Sequence, residues 1–79
     1  MKQLERTPLA ADVWELARSI LTVKQYDALR LWTSGLGYDA VALSLGVGKS
    51  TARQRIVQSL HKLRRALRER EEREANGEH

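Results

Sequence analysis

Seventy-nine residues make one small domain, too short for the multi-stranded parallel sheet that a nucleotide-hydrolysing fold requires. The absence of cysteine excludes disulfides and thiolate metal sites, so stability has to come from helix packing or association. Fourteen Lys and Arg against ten Asp and Glu leave a net charge of +4 and an isoelectric point near 10.0, which favours a polyanionic partner.

Helical signals run along the whole chain, and no stretch alternates like a strand, so the expected class is all-α, a small bundle of four helices. Thr7 is placed as an N-cap with Pro8 at the first helical position, opening a helix over about Pro8 to Ser19. Leu9, Val13, Trp14, Ala17, Ile20 and Leu21 give it one apolar face. Thr22 and Gln25 have the spacing of a capping box, opening a second helix over Val23 to Ser34. Ala28, Leu29 and Trp32 form its stripe, and Gly35 stands where a C-terminal cap is expected. A third, short helix starts near Tyr38, carries Val41, Ala42 and Leu45, and stops at Gly46. The fourth, an extended last helix, begins just after Val47 and runs through Arg68 or further, with Ala52, Ile56, Leu60, Leu63 and Leu67 facing inward. The domain is expected over residues 1–68, and residues 69–79, of mixed charge, form a solvated tail that frays.

The stretch Leu45-Gly46-Val47-Gly48-Lys49-Ser50-Thr51 ends like a phosphate-binding loop, but the first glycine of that motif falls at Leu43. The preceding segment reads as helix where the motif demands a strand, so a nucleotide site is rejected. A short helix, a glycine-bounded turn plugged by Val47, and a second helix instead match a helix-turn-helix over about 38–63. The charge agrees with it. From Ala40 to Arg68 no acidic residue occurs, while Lys49, Arg53, Arg55, Lys62, Arg64, Arg65 and Arg68 do, a one-signed footprint for a phosphate backbone.

The stretch from Leu21 to Leu67 resembles region 4 of bacterial sigma-70-type factors and the related LuxR-type helix-turn-helix. The residues that carry the likeness are Leu21-Thr22, Ala28-Leu29, Tyr38, Val41-Ala42, Leu45-Gly46-Val47 and Lys62-Leu63. The chain departs from that pattern at Gly37 and Gly48, where serine or threonine is usual, and at Leu43, where a charged residue is usual. By carry-over from matching positions, Lys49, Ser50, Arg53 and Gln54 would contact base edges. Their chemistry suits it: Arg or Lys pairs with guanine and Gln with adenine. Arg55, Gln58 and Lys62 flank that face and are assigned to phosphates, together with Arg64. Thr51 either touches phosphate or packs under the turn, and Tyr38 is in place to donate to a phosphate.

Trp14, Tyr26, Trp32 and Tyr38 lie near apolar stripes and are read as core or core-edge residues rather than base-stacking ones. His61 and His79 lack metal-ligand spacing, and no triad or paired carboxylates are evident, so neither an enzyme nor a cofactor is expected. No run reaches the roughly 18 apolar residues of a membrane span, and residues 1–10 lack a signal-type apolar core. A cytoplasmic protein without a membrane partner is therefore expected. The functional expectation is sequence-specific binding of double-stranded DNA by a small transcriptional regulator. A homodimer would supply affinity on paired half-sites, through Leu60 and Leu67 or through Leu43. The alternatives are an adaptor for an RNA polymerase subunit or a sigma factor, and a DNA-packaging protein like a terminase small subunit.

Overall fold

The structure, a computed structural model, describes residues 9–76, and these form four α-helices with no strand. They are α1 (Ala11–Ile20), α2 (Val23–Thr33), α3 (Tyr38–Leu45) and α4 (Lys49–Asn76). The long α4 packs against each of the other three, while α2 also touches α3 and α1. At about 1.5 Å per residue α4 is about 42 Å long, which sets the long axis of a 49 × 26 × 19 Å molecule.

Local sequence accounts for most of the boundaries. Thr22 opens α2 through the full capping box: its hydroxyl accepts from the Gln25 amide at 3.1 Å, and the Gln25 side chain accepts from the Thr22 amide at 3.2 Å. Gly46 closes α3 in the left-handed conformation, φ +72°. The Gly46 and Val47 amides then donate back to the carbonyls of Leu43 and Ala42, at 3.3 and 3.0 Å, completing a Schellman turn. For α1 the sequence expectation is displaced. The helix starts at Ala11 after an extended Ala10 that makes no side-chain cap. The proposed Thr7 cap and Pro8 lie outside the described residues.

The core is built from one face of each helix. Ala17, Ala28, Leu29, Val41, Ala52 and Ile56 are completely buried, with Leu63, Trp32 and Ala42 nearly so. Three of the six are alanines, which let helix backbones approach closely where larger side chains would hold them apart. Trp32 stacks on Tyr38, 6.5 Å between ring centroids, and Trp14 meets Tyr26 edge-on at 5.4 Å. All four aromatics are buried or packed against the core, as core-edge residues should be. Arg18 lies over the Tyr26 ring and donates to its hydroxyl at 3.3 Å. That hydrogen bond raises the pKa of a guanidinium already charged at any ordinary pH.

One feature of α4 differs from the sequence expectation. The centre of its inner face is Ser59, fully buried, and not Leu60, which is half-buried like Leu67. A buried hydroxyl is costly unless bonded. Here it is shared between the carbonyl oxygens of Arg55 and Gln25, 2.7 and 3.1 Å away. The helix extends past Arg68, as expected of an extended last helix: residues 69–76 continue it, and 77–79 lie outside the described residues. Opposite charges four apart support a helix in the absence of apolar packing, and Arg65 pairs with Glu69 at 3.5 Å in this way. Arg70 reaches back to Asp12 at 3.4 Å, tying the extension to α1.

Two glycines flanking Val47 give a test with opposite signs. Gly46→Ala forces a left-handed backbone on an L-residue and is expected to cost about 1–2 kcal/mol, although the added methyl meets nothing within 4 Å. Gly48 precedes α4, lacks the positive φ, has open space at its Cβ, and its carbonyl accepts from Ala52 at 3.0 Å. Gly48→Ser there supplies a capping hydroxyl and should gain a few tenths of a kcal/mol. Urea unfolding of both variants checks the pair.

Candidate nucleic-acid interface

Short α3, the Schellman turn and the first turns of α4 form one corner of the molecule. Val47, half-buried, packs on the core beneath the turn. Lys49, Ser50, Arg53 and Gln54 are all exposed there. An α-helix turns by about 100° per residue, so the four do not point the same way. Ser50 and Gln54 lie on the line opposite Ala52, Ile56 and Leu63, in register with His61. Arg53 is turned about a quarter of the circumference from the outermost line, on the same side as Arg64. Lys49 is turned further, toward α3, where its ammonium stands 3.4 Å from a carboxylate oxygen of Asp39.

The residues assigned to phosphates divide between two sides of α4. Thr51, Arg55, Gln58 and Lys62 share the side that faces the start of α2. Thr51 and Arg55 are half-buried, Gln58 and Lys62 exposed. Two of them are held by α2 through a single residue. Gln25, buried and engaged in its capping box, donates to Gln58 at 3.3 Å and accepts from the Lys62 ammonium at 2.9 Å. The Lys62 charge is thus fixed in place by an uncharged amide that leaves it unneutralised. Arg64 is exposed on the other side, and half-buried Tyr38 is stacked on Trp32 at the start of α3.

Electrostatically the corner is less one-signed than the sequence suggests. Asp39 lies one residue before the acid-free span, yet the fold returns it to the first residue of α4. At the other end, the outer face of α4 sets Arg64, Arg65 and Arg68 beside Glu69 and Glu72, so the basic surface stops there. Gln25, Asp39 and Ser59 are the residues that sequence reasoning missed. Gln25 carried a signal as a cap partner, but its contacts to Gln58 and Lys62 span 33 and 37 positions.

Among the described residues no group of three or more His, Asp and Glu side chains is placed to hold a metal ion. Among the same residues no helix is long and apolar enough to cross a membrane. Comparison with protein-family models, curated proteins and solved structures gave no match for this chain.

Proposed function

We propose that the chain binds double-stranded DNA sequence-specifically, with α3, the Gly46–Gly48 turn and α4 acting as a helix-turn-helix of the sigma region 4 or LuxR type. In this reading the first turns of α4 enter the major groove, as recognition helices do. Ser50, Arg53 and Gln54, with Lys49, then face base edges, and Arg55, Gln58, Lys62, Arg64, Thr51 and Tyr38 face the backbone. The observation that carries the reading is an exposed polar first turn on α4 flanked by Arg53 on one side and Lys62 on the other, neither paired with an acid among the described residues. Lys62, fixed by Gln25 and not by an acid, is the clearest of these. The acid-free span from Ala40 to Arg68 and the tight turn before it support the same conclusion. Transcriptional regulation in the cytoplasm, on paired half-sites occupied by a homodimer, is the role that fits a single reading helix of this size.

Selection from a pool of random duplexes, followed by fluorescence anisotropy at several salt concentrations, tests it. One enriched motif is expected. With Arg55, Lys62 and Arg64 each neutralising a phosphate, log K should fall with log salt at a slope of about −3. Salt-sensitive binding without a motif would favour a packaging role. No binding at low salt would favour an adaptor for a polymerase subunit or sigma factor.

A further inference from the structure

We propose that Asp39 and Lys49 read one base pair jointly, as a matched acceptor and donor, and that the pair they fit is C·G with cytosine on the Asp39 side. The inference rests on the DNA-binding reading above and adds to it a residue of α3 that no sequence pattern assigns.

Three observations carry it. Asp39 is in the first turn of α3 and Lys49 is the first residue of α4, so the two side chains meet at the corner formed by α3, the turn and α4. Their charged atoms stand 3.4 Å apart, which sets an acceptor and a donor side by side. Both side chains remain open to a ligand, at 81 % and 62 % exposure. A pair this exposed adds little to stability. The buried contacts of Val41, Ala42, Ala52 and Ile56 already hold α3 on α4. What the pair does accomplish is to keep a carboxylate beside a surface meant for phosphates, where an unpaired one would be repelled.

The floor of the major groove offers the complementary arrangement. In a C·G pair the cytosine amino group donates and guanine O6 accepts, and the two are hydrogen-bonded to each other, so they lie about 3 Å apart. The Asp39 carboxylate accepts a hydrogen bond from the free amino hydrogen and the Lys49 ammonium donates to O6. Guanine adds N7 as a second acceptor within reach of the same ammonium. An A·T pair presents its donor and acceptor in the same order, but a thymine methyl stands where guanine has N7. In the reversed pairs a base acceptor faces the carboxylate and a base amino group faces the ammonium. One orientation of one base pair is therefore preferred.

The test uses the full chain and the duplex enriched by selection, with all single base-pair variants of that duplex as competitors. Asp39→Ala is expected to lower discrimination roughly tenfold at one C·G position and to raise affinity for non-specific duplex, since a charge of the same sign as DNA is removed. Lys49→Ala should lower discrimination at the same position while weakening affinity. The double variant should be no less discriminating there than either single one. Thermal unfolding of both variants, exposed as these residues are, checks that the fold is retained. Losses at different positions, or a uniform change across all positions, would overturn the joint reading and leave specific DNA binding standing. Enrichment of no motif by the native chain would overturn both.

Discussion

Ile56→Ala is expected to cost about 3–4 kcal/mol, most of the stability a domain of this size holds. Ile56 is completely buried on the inner face of α4, in the same cluster as Leu29, Val41 and Ala52. Removing three carbons leaves a cavity walled by three helices that cannot all close on it. For a chain this short, that loss corresponds to a fall of roughly 15–25 °C in the thermal midpoint, read by circular dichroism at the helical band. Leu43→Ala is the matched control. Leu43 is 84 % exposed, so its truncation should stay within about 0.5 kcal/mol. An unchanged midpoint for Ile56→Ala would mean that α4 is not seated as described. A large loss for Leu43→Ala would mean that this side chain is covered in solution, as a dimer through α3 would require.

Those two residues also show what the sequence made legible. Period-3.6 spacing placed Ile56 inside, and the capping box placed the start of α2, because both signals are local. The close of α3 was legible for the same reason: a left-handed turn has few occupants besides glycine. Ser59 was not legible. A serine in the middle of an apolar face reads as a break in the stripe, and of the two carbonyls that satisfy it one, that of Gln25, lies 34 positions away. An extended α4 was legible, but not how far it passes Arg68, because a charge run carries no apolar periodicity. Its support comes from pairing within the helix and from Asp12 on α1.

The same distinction governs the candidate interface. The linear charge pattern marked out the basic span correctly but drew its boundary at Ala40. The turn folds Asp39 back onto Lys49, so the carboxylate belongs to that surface although it precedes the span. Nor did the sequence separate the two sides of α4. Gln58 and Lys62 are gathered by α2, whereas Arg53 and Arg64 are on the opposite side.

On the proposed function, Arg53→Ala combined with Gln54→Ala should abolish preference for the selected motif. Each good bidentate contact to a base is worth about 1–3 kcal/mol of discrimination. Losing two therefore lowers affinity for the motif by about a hundredfold or more, while binding to non-specific duplex changes little. Both residues are exposed, so the fold should be unaffected within about 0.5 kcal/mol. The contrasting pair is Arg55→Ala with Lys62→Ala on the side facing α2. These should weaken every duplex alike and flatten the salt slope by about 2, since two phosphates lose their cations. The two double variants thus separate along different axes, one in specificity at constant salt slope and the other in slope at constant specificity. If the Arg53/Gln54 variant instead weakened all duplexes equally, these side chains would be touching backbone. The reading face would then have to lie elsewhere on α4, along the line of Ser50, Val57 and His61.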